Sequence, residues 1–298
     1  MKSSDPFVLV GYDGSDRAAA DAVVWAAAEA VRRDQELVVL FATGYAHLQD
    51  TASSLAHRPS PALVSKAEQV AEKGVALARA SAPSVRARSL VSSMGAAAAL
   101  CELSRGATYV VMGTQRYGRI TQAFLGSVVF AVATHGRAPV VVVRGEHVHL
   151  SGPDRPVVVG VDGSPGSDAA LDSAADIAAS CAADLMVLSA WEMPRSDHWS
   201  QIYLADETWR TEAMEASSRG AFAAVKRARA RALERHRDLT IHELVQEGRP
   251  ERLLVRAHKN TGLIVVGARG RSDFVSLLLG SVSRSVVHAA TCPVAIIR

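Results

Sequence analysis

The run GARGRSDFVSLLLGS, Gly267 to Ser281, follows directly on the apolar segment LIVV and spaces its glycines as G-x2-G-x9-G-S. Gly267 stands where a buried strand ends and lets the chain turn away. Gly270 removes a Cβ where backbone must approach a ligand or take positive φ. Gly280 and Ser281 bring the chain back at the head of the next helix, where free backbone N–H groups and the positive helix end favour an anion. A phosphate chain suits such a site. An acid completes the pattern: Asp162-Gly163-Ser164 follows VVVGV, at the end of a second apolar run. In open α/β sheets ligands sit beyond the carboxyl ends of the strands where the strand order reverses, and in an order 3-2-1-4-5 those two strand ends are neighbours.

The elements that must position these residues occur twice. FVLVGYDGSDRAAADAVVWAAAEA (Phe7 to Ala30) returns as VVVGVDGSPGSDAALDSAADIAAS (Val157 to Ser180), and ELVVLFAT (Glu36 to Thr43) returns as DLMVLSAW (Asp184 to Trp191). The stretch from Tyr109 to Arg144 returns from Leu263 to Arg298. Repeats in one order at one spacing mean two copies of a domain. The expected boundaries are residues 1–147 and 155–298, joined by GEHVHLSGPDR as an exposed linker. Within each copy, short β-branched runs alternate with Ala-rich helical stretches, and nearly continuous apolar runs suit parallel strands covered on both faces. The fold class expected is α/β: two tandem doubly wound domains, each a five-stranded parallel sheet of order 3-2-1-4-5 flanked by helices. RARSLV and TIHELVQ supply the weakest strand of each copy, and Ser15-Asp16 and Ser164-Pro165 mark helix starts.

Several function classes fall away. No Gly-Lys-Ser/Thr occurs, which removes a Walker A loop, and no GxGxxG follows the first strand, which removes the dinucleotide fingerprint. A formal charge of +3 over 298 residues is no nucleic-acid footprint, and the one basic cluster, KRARARALERHR, reads as the solvated face of a helix. No apolar run approaches the roughly 18 residues of a membrane span, and the first residues lack a signal peptide's apolar block, so a cytoplasmic chain with no membrane partner is expected. The three cysteines form no CxxC pair and read as small buried residues.

With G-x2-G-x9-G-[ST] and the strand-end aspartate in place, the sequence resembles the universal stress protein family, as a tandem two-domain member of its ATP-binding type. The resemblance implies ATP, with the adenine and ribose near the ends of strands 1 and 2, and Mg2+ beside the phosphates at Asp162. The implied contacts are Val161, Asp162, Gly163, Ser164 and Ala190, with Gly267, Arg269, Gly270, Gly280, Ser281 and Val282 around the phosphates. In the first copy they are Asp13, Gly14, Ala42, Gly113, Gly126 and Ser127. That copy departs from the pattern, because Arg116 occupies the second glycine position. Either its Cβ and guanidinium block close approach, or its fork binds a phosphate oxygen itself. Weaker or altered nucleotide binding is expected there.

Two functions compete. One is a nucleotide-dependent regulator that binds ATP, hydrolyses it slowly or not at all, and contacts another protein in a stress response. The other is an ATP-hydrolysing or adenylate-transferring enzyme. No base-plus-nucleophile pair is visible at the strand ends, and no catalytic residue is assigned, which favours the regulator. The final runs, APVVVVR and CPVAIIR, are expected at sheet edges, and the resemblance implies that such edges pair between domains or in a homodimer. Trp199 and Tyr203, after the second strand of the second copy, could cover an adenine or serve a partner.

Overall fold

The computed structural model describes residues 5–15, 17–45, 60–114, 126–144, 150–193, 207–270 and 279–298. By contacts the chain divides into unit 1, Met1–His149 with Ala290–Ile296, and unit 2, Leu150–Ala289 with Ile297–Arg298. Asp16, Arg116, Trp199, Tyr203 and Arg271 lie outside the described residues.

Unit 1 runs β1 (Phe7–Gly11), α1 (Arg17–Arg32), β2 (Glu36–Ala42), α2 (Pro61–Ser81), β3 (Ala87–Ser92), α3 (Ala96–Leu103), β4 (Ala107–Gly113), α4 (Ser127–His135) and β5 (Val140–Val143). The strands lie in the order β3-β2-β1-β4-β5 and pair in parallel. The reversal between β1 and β4 is therefore where the sequence required it. β1 and its neighbours carry the core: Val8, Leu9, Val10, Leu37, Val38, Val39, Val110 and Val111 are completely buried. Each such side chain stabilises the fold by about 1.5–3 kcal/mol relative to exposure. α1 packs through Ala22, Ala26 and Ala30, all completely buried, and small side chains of this kind let a helix lie close to a sheet. β3 is only partly covered, as its weaker apolar pattern implies. Unit 1 also holds most of β10 (Val294–Ile297), which runs antiparallel to β5 with Val294 opposite Val142. The two final apolar runs thus pair with each other.

Unit 2 repeats the plan with β6 (Val157–Gly160), α5 (Pro165–Ser180), β7 (Leu185–Trp191), α6 (Glu207–Arg235), β8 (Ile241–Glu247), α7 (Pro250–Arg256), β9 (Leu263–Gly267) and α8 (Ser281–Ala289). Its parallel strands lie in the order β8-β7-β6-β9. The end of β10 joins this unit at Ile297, whose carbonyl accepts from the Ala268 N–H at 2.6 Å. Part of the expected linker is not loose. Residues 151–155 form a tight turn, with Arg155 N–H donating to Gly152 O at 2.9 Å. The turn packs on Gly262, where a Cβ would stand 2.7 Å from Ser151 Cα.

The basic cluster on α6 is mostly neutralised within the unit. Arg231 pairs with Asp172 (2.6 Å), Arg235 with Asp176 (2.8 Å), and Arg229 with Glu243 of β8 (3.2 Å). The Arg231 guanidinium beside Asp172 holds that carboxyl below the usual carboxylate range. Exposed pairs of this kind stabilise little, but they orient the helix and remove the charge a polyanion would need. Cys292 is buried as expected, whereas Cys101 and Cys181 are only half-buried. No described helix is long and apolar enough to cross a membrane.

Candidate functional site

The site begins at the end of β6. Val161 N–H continues the sheet pairing by donating to Leu188 O at 2.8 Å. The next residue breaks away: Asp162 Oδ1 accepts from Ser164 N–H at 2.9 Å, a side-chain-closed turn of the kind aspartate forms two residues ahead. Gly163 sits in that turn with φ +80°, a conformation L side chains resist. Ser164 then caps α5, its Oγ accepting from Ser167 N–H at 3.2 Å, with Pro165 in the first turn as expected. Unit 1 builds the same turn. Asp13 Oδ1 accepts from Ser15 N–H at 3.0 Å, and Gly14 has φ +70°. Ser15 differs from Ser164 in donating its hydroxyl to Asp13 at 2.7 Å.

β9 delivers the glycines from the other side. β9 ends at Gly267, where the chain leaves the strand without a positive φ, and close packing is a second reason for glycine there. A Cβ there would stand 2.7 Å from Gly166 O in the first turn of α5, and one at Gly113 would stand 2.2 Å from Ala18 O in α1. Glycine at this place lets the fourth strand of each copy touch the backbone of the first helix. Gly270 approaches the acid: its Cβ would meet Asp162 Oδ2 at 2.9 Å and nothing else nearby among the described residues. The described residues on either side of the loop meet. Gly280 N–H donates to Ala268 O at 2.8 Å, and Ser283 Oγ donates to Gly267 O at 2.5 Å.

Each unit holds a cavity at these strand ends. In unit 2 it measures about 150 Å³, and Val161, Asp162, Ala190, Gly267, Arg269, Gly270 and Val282 line it. Gly163 faces α6 instead, Ser164 is occupied as a cap, Gly280 is buried, and Ser281 is exposed at the start of α8. In unit 1 the cavity is about 390 Å³, lined by Asp13, Ala42, Gly113, Gly126 and Ser127 among others; Gly14 packs against Val70 instead. The larger cavity therefore belongs to the copy with the departed motif. Gly126 precedes α4 without a side-chain cap, and a Cβ there would meet nothing within 4 Å among the described residues.

The residue-type argument missed the floor of both cavities. Leu254 and Pro250 of α7 line the second, and Leu100 and Ala96 of α3 line the first. A signal was present in Gly160 and Gly11, the glycines shared by VVVG and VLVG. A Cβ at Gly160 would meet Leu254 Cδ1 at 3.1 Å, and one at Gly11 would meet Leu100 Cδ1 at 3.4 Å. Ser283 and Thr114 were also missed, and nothing in their types announces them. Among the described residues no group of three or more His, Cys, Asp or Glu is arranged to hold a metal.

Comparison with known proteins accounts for this duplicated fold. The model of the universal stress protein family matches the chain twice, over residues 7–144 and 155–298. The chain belongs to that family, as a tandem member. It is 31% identical to a universal stress protein of Mycobacterium tuberculosis over 98% of this chain and 94% of that one. It is 30% identical to one of Mycolicibacterium smegmatis over 98% and 96%. The crystal structure of a universal stress protein from Archaeoglobus fulgidus covers 100% of this chain and 99% of its own, with a TM-score of 0.67 at 18% identity, which shows the shared fold.

Proposed function

We propose that unit 2 binds ATP and that the protein acts as a nucleotide-dependent regulator in a stress response. The observation that carries the reading is the complete G-x2-G-x9-G-S motif, whose Gly270 lies against Asp162 while Gly280 and Ser281 open α8. Backbone N–H groups at that helix start suit a phosphate. The described lining of the second cavity bounds about 150 Å³, less than the roughly 300–1,000 Å³ usual for ligand pockets.

Mg2+ keeps few protein ligands and takes the rest from water and phosphate, so a single carboxylate fits it. Asp162 is the residue that would hold it, and the ion would supply charge neutralisation beside the phosphates. Among the described lining residues of the second cavity, Asp162 and Arg269 are the charged ones, and neither histidine, lysine nor cysteine is present. That composition supports holding ATP more than turning it over, since tight binding without transition-state stabilisation does not accelerate chemistry. Domains at residues 1–147 and 155–298, a cytoplasmic setting, a homodimer and a regulatory protein partner complete the reading.

Mass spectrometry of ligand released from purified protein tests the binding; ATP is expected. Multiple-turnover assays test the rest. Hydrolysis is expected well below the roughly 1–10³ s⁻¹ of typical enzymes. Turnover in that range, abolished by Asp162→Ala, would make the protein an ATPase.

A further inference from the structure

A further cavity in unit 1, of about 300 Å³, lies where α3 and α4 end, ahead of β4 and β5. It stands at the opposite end of the parallel strands from Asp13 and Gly126. Ala98, Cys101, Glu102 and Arg105 line it at the spacing of one helix face, and His135 and Arg137 line it from the end of α4 and the turn beyond. α3 turns Ala96 and Leu100 to the cavity beside Asp13, so the two cavities share a helix but no lining residue. Buried Ser104 fixes the junction. Its hydroxyl accepts from Arg137 N–H at 2.7 Å and donates to Cys101 O at 2.6 Å. The chain at Arg137 is thereby tied to the end of α3, which brings Arg105 and Arg137 to one cavity.

Glu102, Arg105, His135 and Arg137 are exposed, and among the described residues their side chains form no ion pair or hydrogen bond. Arg86 and Arg88 of the same unit, by contrast, each pair with a carboxylate. Cations near helix C-termini offset the macrodipole, which accounts for their sign. The fold does not require them. At the matching ends of α7 and α8 in unit 2 stand Val255 for Cys101, Arg256 for Glu102, Ala289 for His135 and Thr291 for Arg137, and only the Arg105 position keeps a cation, as Lys259. We propose that this cavity of unit 1 binds a small dianion, a dicarboxylate or a phosphate ester, between the Arg105 and Arg137 guanidiniums. Each guanidinium presents paired N–H donors that match either group, and two on separate segments hold the two sides of one ligand. The volume reaches the lower end of the roughly 300–1,000 Å³ usual for ligand pockets. Glu102 opposes an anion from the same rim. The site is independent of the ATP binding proposed for unit 2.

Titration calorimetry of the full chain with succinate and with inorganic phosphate, at an ionic strength held constant with sodium chloride, tests this in wild type, Arg105→Ala, Arg137→Ala and Glu102→Gln. Saturable binding of at least one probe is expected. Either arginine variant should weaken it about tenfold, the loss of one charge-assisted contact, and Glu102→Gln should tighten it about threefold. The Cys101 thiol locates the site. The bound probe should slow its alkylation by neutral iodoacetamide in wild type and not in the arginine variants, as followed by mass spectrometry of the Cys101 peptide. The probe that saturates tells a carboxylate ligand from a phosphate one. Binding of neither probe, or binding that both arginine variants leave intact, overturns the proposal. Equal protection of Cys101 by chloride alone would reduce the cluster to compensation of the helix ends.

Discussion

The turn after the first strand is the same in both units down to its hydrogen bond, at 3.0 Å between Ser15 and Asp13 and 2.9 Å between Ser164 and Asp162. What surrounds it is not the same. In unit 2 Gly270 comes down on Asp162, Arg227 lies over Gly163, and the cavity is narrow. In unit 1 Val70 and Tyr12 cover Gly14 and the cavity is more than twice as large. A duplicated fold thus keeps the local geometry that the backbone requires and varies the side chains around it. Glycines held by packing and glycines held for a ligand should respond differently to substitution.

The largest effects should fall on the packing glycines. Gly113→Ala drives a methyl into the Ala18 carbonyl, where backbone leaves no room to give, and should destabilise unit 1 by about 3 kcal/mol or more. Gly267→Ala, with 2.7 Å to Gly166 O, should cost less, about 2 kcal/mol. Urea unfolding measures both. Equal costs, or none, would show that the two strand–helix crossings do not differ as described.

Gly270→Ala should behave in the opposite way. Among the described residues its methyl meets only the Asp162 carboxylate, so the midpoint of unfolding should hardly move, while ATP binding at the second site weakens by on the order of 1–3 kcal/mol. Calorimetry that finds wild-type affinity in the folded variant would remove Gly270 from the phosphate loop.

The smallest effect tests the departure of the first copy. If Arg116 obstructs, Arg116→Gly should tighten nucleotide at the first site by about tenfold, or 1.4 kcal/mol, and bring the two sites closer. Titration with each site disabled in turn separates them. Weakening at the first site would instead identify Arg116 as a phosphate ligand.

Much of this was legible because it depends on short-range rules. Apolar runs such as LVVL and LIVV require cover on both faces, so parallel strands between helices follow from them, and the repeat carries that plan across the chain. Asp162-Gly163-Ser164 is read as a turn and cap from residue types alone, because the hydrogen bonds that make it span two or three residues. The packing role of Gly267 was not legible, since a Cβ clash with α5 is invisible until strand and helix are placed together. The neutralisation of the α6 arginines was half visible as a solvated helix face, but their partners Asp172 and Asp176 lie on another helix, about sixty positions away.

What the sequence by itself determined is therefore the doubly wound plan, its duplication, the strand ends that meet and the motif set between them. Periodicity and turn chemistry are local, and each copy states them independently. Only the tertiary structure decided that Leu254 and Leu100 floor the cavities, that Arg227 stands over one turn and Val70 over the other, and that the intact motif surrounds the narrower space. Those facts arise where distant segments come within a few ångströms of one another, and packing at that range depends on every side chain that shares the space.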